Sequence, residues 1–266
     1  GGWEDARAGG GGGAGGIGNT NRGETVAIWE RGPRTPVAPA IVWQDRRTAQ
    51  RCRDRAASGS AAMIRERTGL VLDPYFSATK LEWLLADSGL RQRAERGELA
   101  AGTIDSWLIA KLTAGRVHAT DHTNASRTML YCLDKRVWDD ELLALFGIPR
   151  SLLPRVVRSS GVIGECSADL FGQPLPIAGI AGDQQAALFG QGCVRPGMSK
   201  NTYGTGAFLL SYTGAVRATS NHGLLVTAAA GPAGGPPFPP RGAVGTPGPA
   251  SHWSRGGWGL CGRSAG

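Results

Sequence analysis

An apolar run at residues 177–181 leads through Gly182 to a single carboxylate, Asp183. A buried strand of this kind delivers one charged side chain to the edge of a sheet, where a cleft can open. Downstream, Gly204-Thr205-Gly206 makes a turn that leaves backbone N–H groups uncovered, so a phosphate can approach them closely. An acid able to take a hydroxyl proton, set near a turn able to hold phosphate, points to phosphoryl transfer to an alcohol. Each feature also has a plainer reading. Asp183 suits the N-cap of a helix running into Gln-Gln-Ala-Ala-Leu-Phe, and on spacing alone the cap is favoured. A lone Gly-Thr-Gly is more often just a turn.

Several elements must position these residues. Thr25-Val-Ala-Ile-Trp29 and Ala40-Ile-Val-Trp43 are rich in β-formers, and the Gly- and Pro-containing segment between them predicts a hairpin. Residues 45–57 are polar and Arg-rich, which predicts an exposed helix. Ser77 is a candidate N-cap for a helix reaching Leu85, with Leu81, Leu84 and Leu85 on one face. Asp105 is placed to cap a helix through Leu112 that stops at Ala114-Gly115. Residues 139–146 predict a short amphipathic helix ended by Gly147 and Pro149. The 177–181 strand, a helix over 184–189 and short strands near 200–203, 208–212 and 224–227 complete the core. Strands alternate with helices, so the fold class is α/β, a mixed sheet with flanking helices.

The chain has 266 residues, enough for one large domain or two small ones with a real core. Residues 1–16 are mostly Gly, and residues 231–266 are half Gly and Pro with no Asp, Glu or Lys. Neither segment can bury enough apolar surface to offset the entropy of ordering. The expected organisation is a disordered Gly-rich segment at 1–16, a globular domain at 17–230, and a tail at 231–266 that is disordered or the product of a shifted reading frame. The net charge of +8 is no nucleic-acid signal, since Arg241, Arg255 and Arg263 of the tail face no acid and the bases of the core alternate with acids. Five cysteines without a CxxC pair read as reduced thiols in a cytoplasmic protein. No apolar run reaches transmembrane length, so no membrane span is expected. His118 and His122 lack metal-ligand partners at a useful spacing.

Longer strings carry a resemblance. Gly179-Ile-Ala-Gly-Asp-Gln-Gln-Ala-Ala-Leu-Phe-Gly190 and Asn201-Thr-Tyr-Gly-Thr-Gly-Ala-Phe208 resemble the glycerol kinases of the FGGY carbohydrate kinase family. The resemblance makes Asp183 the catalytic base and a Mg2+-linked carboxylate, and gives Gln184 a contact with glycerol. It assigns Gly204 and Thr205 to ATP and packs Phe208 on the carbon backbone of glycerol, although ordinary core packing accounts for Phe208 equally well. Ala40-Ile-Val-Trp-Gln-Asp-Arg-Arg-Thr48 makes Trp43 an apolar wall of the glycerol pocket. Thr68-Gly-Leu-Val-Leu-Asp-Pro-Tyr-Phe-Ser-Ala-Thr-Lys80 makes Tyr75 a partner of a glycerol hydroxyl. Residues 102–109 and 120–129 are further strings of the group, read as structural supports. Residues 17–230 are thus similar to an incomplete FGGY N-terminal domain of the actin-like ATPase (ribonuclease H-like) fold. That implies ATP and Mg2+ as cofactors, glycerol as acceptor, sn-glycerol 3-phosphate as product, and a chain open to homo-oligomer formation.

The chain departs from the family where glycerol is clamped. The family pattern sets Arg and Glu side by side; here Asn19-Thr-Asn-Arg-Gly-Glu-Thr25 keeps Glu24, puts Gly23 at the Arg position, and carries Arg22 one place early. In a strand, that shift turns a side chain to the opposite face, so either a bulge brings Arg22 back or the donor is lost. Losing such a charged hydrogen bond costs about 1.5–3 kcal/mol. Nothing before Ile17 resembles the family's opening phosphate loop and nothing after about Ala230 resembles its second domain, although Gly242-Ala-Val244 and Ser251-His-Trp-Ser-Arg255 faintly echo a string of the family. The expectation is a glycerol-phosphorylating kinase in a truncated form with negligible turnover. The alternatives are a non-catalytic polyol-binding fragment, or a kinase for another sugar or polyol such as xylulose or gluconate.

Overall fold

The computed structural model describes residues 15–203, 207–215, 217, 224–231 and 241–244, with backbone only at 207 and 241–244. The chain opens with β1 (Ile17–Asn21) and β2 (Val26–Glu30), followed by α1 (Ala49–Ala57), α2 (Ser60–Thr68), α3 (Ser77–Leu84) and α4 (Ser88–Glu95). Next come β3 (Leu99–Thr103), α5 (Ile104–Leu112), β4 (Ala119–Asp121), α6 (His122–Ala125), β5 (Tyr131–Cys132), β6 (Val137–Trp138) and α7 (Asp140–Phe146). Then follow β7 (Arg155–Val157), β8 (Ser160–Glu165), α8 (Ala168–Phe171), β9 (Pro176–Gly182) and α9 (Asp183–Gly190). The last described elements are β10 (Ser199–Tyr203), β11 (Ala207–Gly214), β12 (Leu225–Ala228) and β13 (Arg241–Val244).

The α/β class with a mixed sheet stands. β9 pairs in parallel with β1 and antiparallel with β8. A second, antiparallel sheet runs in the order β10-β11-β13-β12, and β2 with β3 and β4 with β7 form two-stranded pieces. One large apolar cluster ties β2, β3 and several helices to the second sheet, joining Ile28, Ile64, Leu81, Leu99, Phe146, Leu210 and Val226.

Local rules succeed where the terminators are strong. Asp139 caps α7 by accepting from the N–H groups of Glu141 and Leu142, and Gly147 closes the helix at φ 62°. Other expectations change. The 40–43 run touches β2 only through the Val26–Ile41 bridge, while the full ladder partner of β2 is β3. Pro33, Pro36 and Pro39 fall in the segment that joins the two runs and remove its N–H donors there, so no continuous ladder builds from Glu30 back to Ile41. Ser77 lies inside α3 rather than capping it: the N-cap is Phe76, and the Ser77 hydroxyl donates to the Glu24 carbonyl at 3.2 Å. Asp105 is likewise inside α5, behind an N-cap at Thr103, and is fully buried. Residues 241–244, which composition placed in an irregular tail, form β13 between β11 and β12.

Gly69 fixes where α2 meets the second sheet. It ends the helix at φ 73°, and its carbonyl accepts the Val226 N–H at 3.0 Å. A Cβ here would lie 2.9 Å from both Leu133 Cδ1 and Val226 Cβ. Gly69→Ala therefore combines left-handed strain with overpacking and is expected to destabilise the fold by about 2–4 kcal/mol, read from urea unfolding.

Candidate functional site

β1 and β9 are parallel, with Asn21 opposite Gly182, so both chains leave the sheet at one edge. Side chains that follow such carboxyl ends face the crevice outside the sheet. The short helix α6 pins both ends. Asp121 caps it, accepting from the N–H groups of Thr123 and Asn124 at 3.1 and 3.0 Å and from the Ser159 hydroxyl at 2.6 Å. Thr123 Oγ1 in turn accepts the Gly182 N–H at 2.9 Å, and Asn124 Oδ1 accepts from Asn21 Nδ2 at 3.0 Å. The supporting role read for residues 120–129 has this physical content.

At the end of β9 the N-cap of α9 is Gly182, and Asp183 is the first helical residue. The cap reading of Asp183 therefore gives way. Its half-buried carboxylate accepts the Gln184 N–H at 2.9 Å, in the positive field of the helix N-terminus. Gln184 is fixed as well: its Oε1 accepts from the buried Lys200 ammonium, which also donates to Thr202 Oγ1 at 2.6 Å. With the oxygen occupied, the Gln184 amide faces any ligand as a donor. Burial lowers the Lys200 pKa, against the pull of Asp183.

At the end of β1 the chain turns sharply. The Thr25 N–H donates to the Gly23 carbonyl at 2.8 Å, and Glu24 adopts φ 63°. This left-handed residue is strained by about 1–2 kcal/mol, and it is 5% exposed. Glu24 Oε1 accepts from Arg127 Nε at 2.6 Å. The Arg127 guanidinium lies 5.0 Å from the Phe76 ring and 5.8 Å from the Tyr75 ring. Tyr75 meets Trp43 edge-on at 5.5 Å. The structure thus brings Glu24, Tyr75 and Trp43 together, with Arg127 as the link.

The electrostatics tie this cluster to Asp183. Burial raises the Glu24 pKa above the ordinary carboxylate range; Arg127 opposes that rise and Asp183 adds to it. Burial and then Glu24 push the Tyr75 phenol up. Lys80, fully buried, donates to the Tyr75 carbonyl at 2.9 Å, and burial brings its pKa down to about 8 despite Glu24.

Other expected residues stand apart. Arg22 is exposed and has no side-chain partner among the described residues. Gly23 is buried, yet a Cβ on it would meet nothing within 4 Å. Phe208 sits on β11 opposite Thr202 and packs on the main core. Gly204 and Thr205 lie outside the described residues. Sequence reasoning missed Arg127, Lys80 and Lys200, since a cation in a polar string reads as solvated unless its buried partners are known.

The described residues contain no group of three or more His, Cys, Asp or Glu able to hold a metal ion. Asp183 alone suits only an ion that takes one or two carboxylates and completes its shell with water and phosphate oxygens, which is the habit of Mg2+.

Comparison with known proteins agrees with this geometry. Residues 14–190 match the model of the FGGY family of carbohydrate kinases, N-terminal domain. The chain is 58% identical over 215 residues to a glycerol kinase of Methylibium petroleiphilum, covering 80% of this chain and 43% of that one. It is 53% identical over 242 residues to a glycerol kinase of Leptothrix cholodnii, covering 91% of this chain and 49% of the relative. Among solved structures, a Plasmodium falciparum glycerol kinase with ADP aligns at a TM-score of 0.84 and 35% identity, over 92% of this chain and 48% of that one. A Brucella ovis xylulose kinase, at 23% identity and a TM-score of 0.74, shares the fold. The chain spans about half the length of the curated relatives it matches. The match over residues 14–190 and the shared fold settle the lineage: the chain belongs to the FGGY family of carbohydrate kinases.

Proposed function

We propose that this chain carries the acceptor side of an ATP-dependent kinase that phosphorylates glycerol to sn-glycerol 3-phosphate. The observation that carries the reading is the convergence of Glu24, Tyr75 and Trp43 beside the strand edge that presents Asp183. Asp183 takes the proton of the attacking hydroxyl. Glu24 accepts a hydrogen bond from a second hydroxyl, and the Gln184 amide donates to a glycerol oxygen. Trp43 and Tyr75 cover the carbon backbone and exclude water, and Phe208 extends that wall. Gly204 and Thr205 would meet ATP, and Asp183 would help to hold Mg2+, which neutralises phosphate charge when bound. Residues 17–230 form the substrate-side domain in this reading, and the protein works in the cytoplasm. Among the described residues no helix is long and apolar enough to cross a membrane.

The relatives named glycerol kinase, more than 50% identical, favour glycerol over sugars, whereas the xylulose and gluconate kinases are similar at 14–23% and speak only for the fold. Calorimetric titration tests the choice. Glycerol is expected to bind with a dissociation constant in the micromolar to millimolar range, with xylulose and gluconate at least tenfold weaker. Tighter binding of xylulose, or no heat with glycerol, would overturn the assignment.

A further inference from the structure

Two buried N–H donors around the Tyr75 ring have no acceptor among the described residues. They are Nη1 of Arg127 and Nε1 of Trp43. Both side chains contact the same phenol ring, Arg127 at 5.8 Å and Trp43 at 5.5 Å. Arg127 is 6% exposed, so water does not readily satisfy its free nitrogen. Buried donors are nearly always paired, and clustered exceptions call for an explanation. The same cluster holds the Glu24 carboxylate, already engaged through Oε1, and the Tyr75 hydroxyl, which also interacts with the Arg127 guanidinium. Free donors and a carboxylate on one aromatic wall are the groups that hydroxyls satisfy, because a hydroxyl both accepts and donates.

We propose that Arg127 is a positioning residue for the polyol acceptor, holding the Glu24 carboxylate toward a substrate hydroxyl and offering its free Nη1–H to a substrate oxygen. The proposal rests on the glycerol reading above and adds to it a residue that sequence reasoning treated as structural support. Gly23 gives it weight. The position where the family pattern carries an arginine has no side chain here, and Arg22 is exposed. Arg127 is then the guanidinium that remains beside Glu24. The planar fork matters as well as the charge. Nε is committed to Glu24 while Nη1 stays free, two directed donors that a lysine ammonium cannot reproduce on its flexible stem. Three other groups face Glu24 electrostatically or through the cluster: Lys80, Asp183 and Tyr75. None of them donates a hydrogen bond to its carboxylate among the described residues.

The test is a calorimetric titration of glycerol into the full chain and into R127K. R127K keeps the charge and is expected to lose tenfold or more in glycerol affinity while its circular dichroism stays that of the parent. A folded R127K that binds within twofold of the parent overturns the proposal. A second measurement needs no variant. Glycerol is titrated into the parent near pH 6, where Lys80 with its pKa of about 8 stays charged, in two buffers of different ionisation enthalpy. With Arg127 keeping Glu24 ionised, no net proton exchange is expected, and exchange approaching one proton overturns the proposal. The two readings separate cleanly. A parent that binds no glycerol overturns both, whereas a parent that binds beside an unaffected R127K overturns only the role of Arg127.

Discussion

Replacing Glu24 by Met is expected to lower the free energy of unfolding by about 3–5 kcal/mol, and replacing Arg127 as well is expected to recover most of that loss. The asymmetry follows from burial. Glu24 and Arg127 are 5% and 6% exposed, so both charges have left water and their mutual contact at 2.6 Å roughly offsets the desolvation. Removing one partner leaves the other charged and unsolvated. Removing both leaves an apolar site against Phe76 and Tyr75, where two Met side chains can pack. The φ of 63° at Glu24 is common to parent and variants, so its strain cancels in the comparison. Urea unfolding of the parent, E24M, R127M and E24M/R127M gives the coupling energy directly. A loss under 1 kcal/mol in E24M would mean that the pair is solvated and that the cluster is open to water.

Asp105 is expected to make the fold less stable as pH rises from about 4 to 8. It is fully buried in α5, where its Oδ2 accepts from the Thr120 hydroxyl at 2.6 Å and its Oδ1 has no partner among the described residues. Burial, with Asp121 nearby, raises its pKa from 3.8 to about 7. The sign follows from which state holds the proton. The folded chain keeps it to higher pH than the unfolded chain, so the stabilisation is complete below the unfolded value and lost as pH rises through about 7. The gap between 3.8 and about 7 corresponds to about 4 kcal/mol at most. His118 acts in the opposite sense at lower pH, since burial and Arg31 bring its pKa down to about 4. Comparing D105N with the parent isolates the carboxylate, because His118 is common to both. The variant is expected to gain on the parent steadily from pH 4 to 8, and a flat difference would refute the assignment.

What the sequence reveals follows from how local each signal is. The strand before Asp183 and the helix after it were legible because an apolar run and a charged terminator lie within a few residues. The helix over 139–146 and its Gly147 stop were legible for the same reason, with Asp139 its cap rather than its first residue. The pairing of β2 with β3 was not, because Leu99-Ala-Ala-Gly-Thr103 carries little β propensity and becomes a strand by being buried along its whole length. Trp43, Tyr75 and Glu24 were nameable only through the family strings, and nothing in their spacing brings them together. Arg127 eluded both routes. Its partner Glu24 is 103 residues away, and only the folded chain makes the cation a buried one.

The second sheet sets a timetable for synthesis. Its order, β10-β11-β13-β12, places the last described strand between two that precede it in the chain. Until residues 241–244 emerge, β11 and β12 each hold an unfilled backbone edge, and β12 is held to the rest of the molecule by the contacts of Val226 with Gly69 and of Thr227 and Ala228 with Ser126. A nascent chain paused in that interval offers two open strand edges to its neighbours, the condition under which strands pair with the wrong molecule. Pausing or premature release between residues 228 and 241 therefore exposes this sheet to co-translational aggregation.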